Sequence, residues 1–233
     1  MRKFKFETLK STNEYLKNKN DIEQWDTVIA EVQTDGRGRR GNKWESPKGA
    51  ALFSFALRED EYLTEKDYSL LPLIAGRALV EAMKNIEDLD YKFKWPNDIY
   101  VYDKKLSGIL IEKVNNFYII GMGINVNNIE FGENINGISL KTITEKEYEI
   151  EEVIDMAIMI FKKTWARYVR GQWERLLSDI NELNYLRGKE IIVQGHGKEK
   201  KGIAGKILEN GHLEMEVENK KEEVVVGDIH IVL

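Results

Sequence analysis

Residues 36–41 hold three glycines and three arginines, and no other stretch constrains the fold of this chain as tightly. They lie within Gln33-Thr34-Asp35-Gly36-Arg37-Gly38-Arg39-Arg40-Gly41-Asn42-Lys43-Trp44. Glycine lets a backbone approach a ligand closely with its amides, and arginine presents a planar, permanently charged fork matched to phosphate or carboxylate oxygens. The chain as a whole is acidic, with 35 Lys+Arg against 40 Asp+Glu and a formal charge of −5, so this cationic density is local. The stretch reads as an anion-holding loop. The plain alternative is a solvated, glycine-rich hairpin connection.

Gly36-x-Gly38-x-x-Gly41 also spells the dinucleotide-binding fingerprint, which requires a strand before it and a helix opening inside it. The β-branched run 27–32 supplies the strand. The helix is missing from the pattern: Pro47 and Gly49 stand where its interior should be, and the apolar run 50–57 is a second strand. Strand, loop, strand argues against a doubly wound nucleotide fold.

A length of 233 residues leaves room for one large domain and a small one, and 42% hydrophobic residues support a buried core. The absence of cysteine excludes disulfides and thiolate chemistry and fits a reducing compartment. The N-terminus lacks a signal-peptide core, and no apolar run is long enough for a bilayer, so a cytoplasmic protein without membrane partners is expected. Net negative charge argues against general nucleic-acid binding while leaving a local basic site open.

Helical signals fall at 11–20, where Ser11 and Glu14 are spaced as a capping box, and at 68–85, 150–170 and 173–184. Further β-type runs occupy 91–95, 99–102, 106–114 and 117–125, with Asn115-Asn116 as a tight turn. From residue 186 onward the texture changes to short β-runs punctuated by Gly188, Gly195, Gly197, Gly202, Gly205, Gly211 and Gly227, a pattern that suggests a small barrel of about five strands. The expected division is 1–185 and 186–233. His196, His212 and His230 lack metal-ligand spacing and read as structural.

Two further segments carry chemistry. Lys94-Trp95-Pro96-Asn97-Asp98 joins two strands through a rigid turn, and its Asn-Asp pair offers hard oxygen ligands of the kind Mg²⁺ uses alongside phosphates and water. An Asx turn is the ordinary reading. In Lys104-Lys105-Leu106-Ser107-Gly108, a lysine enters a strand ahead of a glycine, which suits an ammonium held against a bound anion; a charged hairpin turn is the alternative. Gly121 and Gly123 alternate on one strand face, leaving space for a flat ligand or for tight packing.

Ser11-Thr12-Asn13, the loop 33–44, Lys94 to Asp98, Lys105 to Leu110 and Gly121 to Asn125, taken in this order and spacing, resemble the catalytic domain of bacterial biotin protein ligases. The resemblance covers essentially the whole chain. It implies an α+β fold: a mixed-sheet catalytic domain related to class II aminoacyl-tRNA synthetases and lipoate ligases, followed by a small SH3-like β-barrel. It implies ATP and biotin as substrates with Mg²⁺, formation of biotinyl-5′-AMP, and transfer to a lysine of a biotin carboxyl carrier protein. Because the chain starts directly at the catalytic segment, the form without an N-terminal DNA-binding domain is expected, with no DNA partner and a possible homodimer. Asn42 departs from the family, which often has arginine there.

The resemblance also assigns residues. Lys105, Arg39 and Asp98 are the expected catalytic groups, with Asp98 on the metal. Ser11, Thr12, Asn13, Gln33, Gly36, Arg37, Gly38, Arg39, Trp44, Lys105, Gly108, Gly121 and Gly123 are expected around biotin. Arg37, Arg39, Arg40, Trp44, Asn97, Lys105 and Asn125 are expected around the nucleotide. Two other readings stay open at this level: a lipoate-type protein ligase and a nucleic-acid-binding module built on the arginine loop.

Overall fold

A computed structural model describes every residue except 46, 133–135, 196, 197, 226 and 233. The first seven strands are β1 (Lys3–Leu9), β2 (Thr27–Gln33), β3 (Ala51–Arg58), β4 (Lys92–Lys94), β5 (Asp98–Val101), β6 (Lys104–Val114) and β7 (Phe117–Ile124). They form one sheet in the order β1-β2-β3-β7-β6-β5-β4. The β1–β2 pair is parallel and the rest are antiparallel, so the sheet is mixed as expected.

Period-2 alternation divides the sheet into two faces. Phe53, Phe55 and Leu57 of β3, Ile120, Met122 and Ile124 of β7, and Leu106 and Ile109 of β6 enter the main core. That side is covered by α3 (Leu71–Ile86) and α5 (Ile150–Val169). The apolar stripes legible in the sequence are the buried ones: Ile74, Ala78, Leu79 and Met83 on α3, and Ile154, Ala157, Ile158 and Phe161 on α5 are all nearly inaccessible. On the opposite face the short α1 (Thr12–Lys17) packs at one end over Val28, Ala56 and Ile119 through Leu16.

The remaining helices are α2 (Glu65–Tyr68), α4 (Leu140–Thr144) and α6 (Trp173–Glu182). Among the described residues no helix is long and apolar enough to cross a membrane. The capping box is half formed: Ser11 accepts from the Glu14 amide, while the Glu14 carboxylate pairs with Lys10 and Arg37 instead. β1 is an addition to the strands expected from the sequence. Its alternation of Lys3 and Lys5 with Phe4 and Phe6 is an edge-strand pattern, and both phenylalanines contact Tyr15 of α1 at ring distances of 6.1 and 4.9 Å.

The expected SH3-like barrel does not form. The C-terminal segment does make five strands, β8 (Glu190–Gly195), β9 (Lys198–Ile207), β10 (Leu213–Val217), β11 (Lys220–Val224) and β12 (Asp228–Ile231). They pair in the open order β11-β10-β9-β8-β12, and among the described residues the two end strands do not pair with each other. Closure needs end strands that reach each other at a consistent tilt and stagger. Here they have five and four residues, and β11 is a run of Lys220, Lys221, Glu222 and Glu223, whose charges blunt a free edge. His196 and Gly197 lie outside the described residues.

The small sheet is docked on the large one. The Trp95 indole donates to the Gly211 carbonyl at 2.9 Å, and Asn181 both donates to the Ile207 carbonyl (2.9 Å) and accepts from its amide (2.8 Å). Ile191, Val193, Leu213 and Met215 belong to the same continuous core as the large sheet.

Candidate active site

A cleft of about 390 Å³ lies over the face of the large sheet that α3 and α5 leave uncovered. Three sources line it: α1 with the sheet strands, the glycine-arginine loop, and Gly227, Ile229 and His230 of the C-terminal sheet. The loop is a narrow hairpin. The Trp44 amide donates to the Gly36 carbonyl (2.9 Å), the Gly38 amide to the Asn42 carbonyl (2.7 Å), and Arg37 bridges Lys43. Its tip is a single 3-10 turn, Arg39–Gly41, with Arg40 in the left-handed region at φ 55°. A single turn is no substitute for the helix that a dinucleotide fingerprint requires, so the doubly wound reading fails structurally as well.

Glycines pave the floor, and three of them make room for two protein side chains. Gly108 of β6 pairs directly with Gly123 of β7, and the Trp44 indole lies over both. A Cβ at Gly123 would fall 2.3 Å from Trp44 Cε2, and one at Gly108 would fall 2.8 Å from Trp44 Cζ3. Beside them, a Cβ at Gly121 would fall 2.1 Å from Asn13 Oδ1. The side-chain-free face anticipated for a flat ligand thus seats Trp44 and Asn13, and these present the surface that a ligand meets.

One end of the cleft gathers uncharged hydrogen-bonding groups. Ser11, Thr12 and Asn13 are buried at the start of α1. The Thr12 amide and hydroxyl both donate to Gln33 Oε1, at 2.8 and 3.1 Å. The Ser54 hydroxyl lies 2.7 Å from Thr12 Oγ1 and 2.6 Å from Asn13 Oδ1. The Asn13 amide nitrogen donates to Glu112 Oε2 at 2.8 Å and reaches the Leu110 carbonyl at 3.4 Å.

The other end is cationic. Lys105 Nζ sits 2.8 Å from Asp98 Oδ1 and 5.4 Å from the centre of the Trp44 ring. A register shift between Ile99 and Tyr100 brings this about: Ile99 faces Ser107 but Tyr100 faces Lys105, so Leu106 turns into the core and Lys105 joins Asp98 on the cleft face. The Lys105 backbone is held by the Asn136 carbonyl, the Ile138 amide and the Asn125 side chain (2.8, 3.0 and 3.3 Å). Arg39 Nη1 donates to Asn97 Oδ1 at 3.3 Å, and Asn97 Nδ2 donates to the Ile109 carbonyl at 2.8 Å. Burial lowers the Lys94 pKa against the opposing pull of Asp98.

Most of the expected site residues therefore converge: Ser11, Thr12, Asn13, Gln33, Arg37, Gly38, Arg39, Trp44, Asn97, Asp98, Lys105, Gly108, Gly121 and Gly123 all line the cleft. Gly36, Arg40 and Asn125 do not. Gly36 closes the loop neck, Arg40 donates to the Gln194 carbonyl at 2.9 Å, and Asn125 is buried behind Lys105. Arg37 lines the cleft but pairs with Glu14 (3.2 Å) and Asp35 (3.5 Å). Sequence reasoning missed Lys94, Leu110 and the C-terminal contribution of Ile229 and His230. The desolvated lysine inside a motif already singled out was the one available signal; nothing local marks β12 as a cleft wall. Among the described residues no three His, Cys, Asp or Glu side chains cluster as a metal site.

The model of the biotin/lipoate A/B protein ligase family matches residues 5–127, which include every cleft residue outside the C-terminal sheet. The chain is 32% identical over 210 residues to the bifunctional ligase/repressor BirA of Escherichia coli, covering 82% of this chain and 65% of that protein. It is 27% identical over 211 residues to the biotin–[acetyl-CoA-carboxylase] ligase of Mycobacterium tuberculosis, covering 87% and 77%. Its fold is similar to that of biotin protein ligase from Aquifex aeolicus in complex with biotin and ATP, at a TM-score of 0.89 and 29% identity over 99% of this chain and 98% of that one. The chain spans about half to two thirds of the length of the first curated relatives it matches. On a family match over more than half its residues, this chain belongs to the biotin/lipoate A/B protein ligase family.

Proposed function

We propose that this protein activates biotin with ATP, forming biotinyl-5′-AMP and pyrophosphate, and passes the biotinyl group to a lysine of a biotin carboxyl carrier protein. The observation that carries the reading is the polarity of the cleft. The neutral hydrogen-bonding groups Thr12, Asn13 and Gln33 face the cationic groups Lys105, Arg39 and Lys94 across the Trp44 indole and Leu110. Biotin has the matching order: a neutral ureido ring, an apolar body and a carboxylate. The similar Aquifex aeolicus structure holds biotin and ATP, which supports the same pair here.

In the first step a carboxylate oxygen attacks the α-phosphorus and the bond to the pyrophosphate oxygen breaks. Two anions must meet, so cationic stabilisation is the main requirement. Lys105 answers it by exchanging its Asp98 contact for the carboxylate and α-phosphate, while Arg39 covers the phosphates. In the second step the carrier lysine, as its free amine, attacks the acyl carbon and AMP leaves. Neither step needs a protein nucleophile, in keeping with a chain without cysteine.

Mg²⁺ is compatible with the residues present. Asp98 Oδ1 is buried, with the Lys105 ammonium as its contact, and a single carboxylate sharing the ion with phosphates and water is a usual Mg²⁺ arrangement. When bound there the ion would neutralise phosphate charge. The test is pyrophosphate release and carrier mass: biotin with ATP should yield pyrophosphate and a biotinylated carrier domain, and lipoate should not compete. Activity with lipoate in place of biotin would move the chain to the other branch of its family.

A further inference from the structure

We propose that Glu112 is a positioning residue that fixes the orientation of the Asn13 carboxamide and thereby decides which atom of that amide faces the ligand. Asn13 is buried and lines the cleft, whereas Glu112 does not line it. Glu112 stands on β6 on the same strand face as Gly108 and Leu110, just past the uncharged end of the cleft. It therefore acts on a ligand only through Asn13.

The hydrogen bonds leave one orientation. An ionised carboxylate only accepts, so the amide nitrogen of Asn13 must point at Glu112 Oε2, 2.8 Å away. Its second N–H is directed at the Leu110 carbonyl (3.4 Å). Both donors are spent inside the protein. Asn13 Oδ1 then accepts from the Ser54 hydroxyl at 2.6 Å and keeps one lone pair for the cleft. A flipped amide would set its oxygen against the carboxylate. The oxygen occupies the space that Gly121 leaves open, since a Cβ there would fall 2.1 Å from it.

Glu112 is itself held. Lys17, in the last turn of α1, donates to Glu112 Oε1. Burial works against the Glu112 charge, but the hydrogen bonds from Lys17 and Asn13 outweigh it and keep the carboxyl below its ordinary pKa. Lys17, Glu112 and Asn13 form a chain running from the helix end to the cleft. A site set this way presents an acceptor to its ligand and selects a ring that offers N–H, as a ureido ring does.

The ligand's identity rests on the ligase reading; the fixing of the amide does not. The test uses Glu112→Ala, Asn13→Ala and the double variant in a pyrophosphate-release assay. Glu112→Ala should raise the biotin KM roughly tenfold or more, the loss expected for a mis-set hydrogen bond, with the KM for ATP unchanged and kcat nearly so. In the Asn13→Ala background the same change should have little further effect. An unchanged biotin KM, or an equal rise with and without Asn13, would overturn the proposal, since a structural role alone would add independently. Should Glu112→Ala fail to fold, Glu112→Gln, whose side-chain amide can donate as well as accept, carries the same comparison. The Asn13 side-chain NH₂ signal of ¹⁵N-labelled ligand-free protein gives a second readout, protected from exchange in wild type and not in Glu112→Ala. If wild type makes no pyrophosphate from biotin the ligase reading falls, while the amide signal still decides whether Glu112 fixes Asn13; equal protection in both proteins rejects it.

Discussion

The indole of Trp44 rests on Gly123 so closely that a methyl group there would lie 2.3 Å from Cε2 and 2.5 Å from Nε1. Loop and sheet are thus registered against each other by the absence of one side chain. Gly123→Ala forces one of them to yield, and a surface hairpin yields before a central strand. The expected outcome is a stability loss below about 1 kcal/mol, with adenylate formation reduced at least tenfold by the displaced loop. Thermal melts and pyrophosphate release measure the two effects, and a red-shift in tryptophan emission should accompany them.

Lys105→Ala should abolish biotinyl-adenylate formation. The ammonium is the cation aligned with Asp98 on the cleft face, where the carboxylate and α-phosphate must approach. Losing a partly exposed ion pair should cost about 1 kcal/mol or less, so the fold survives. Adenylate synthesis by the purified variant at near wild-type rate would remove Lys105 from the chemistry.

Arg39→Gly should uncouple retention from synthesis. Arg39 reaches across the cleft from the loop tip to Asn97, a contact that holds the tip over the site. Without it Lys105 remains, so adenylation persists at reduced rate. The adenylate should escape roughly tenfold faster, given the usual strength of an arginine–phosphate contact. Incubation with ATP, biotin and an unrelated lysine-rich protein reads this as bystander biotinylation above the wild-type level.

Lys94→Met should stabilise the protein near neutral pH. Burial lowers the Lys94 pKa in the folded state, so between that lowered value and the ordinary lysine value the unfolded chain binds more protons. Wild type therefore gains stability as pH rises through this interval, and its charge is a cost below it. The difference between the Lys94→Met and wild-type melting curves should be largest below the lowered value. It should shrink as pH climbs to the ordinary one, and a pH-independent difference would contradict the assignment.

Much of this was legible in the sequence because it is local. The stripes on α3 and α5 follow from helical periodicity, and the strand-loop-strand path around Arg39 follows from Pro47 and Gly49 interrupting any helix. The lysine of Lys105-Leu106-Ser107-Gly108 and the Asn97-Asp98 turn could be singled out by residue type alone. Their alignment could not, since the shift that turns Leu106 inward and Lys105 outward is a property of strand pairing rather than of either strand.

The sequence by itself determined which residues could do chemistry: an anion-holding loop, a lysine at a strand start, and two alternating glycines. Only the tertiary structure decided what those glycines receive. Asn13 and Glu112 stand 99 residues apart, and the Trp44 indole settles on a floor built from two later strands. It also decided that the last five strands stay open and deliver Ile229 and His230 to the cleft wall instead of closing on themselves. Periodicity and propensity act over a few residues, whereas sheet closure, register and side-chain seating depend on which distant segments compete for the same surface.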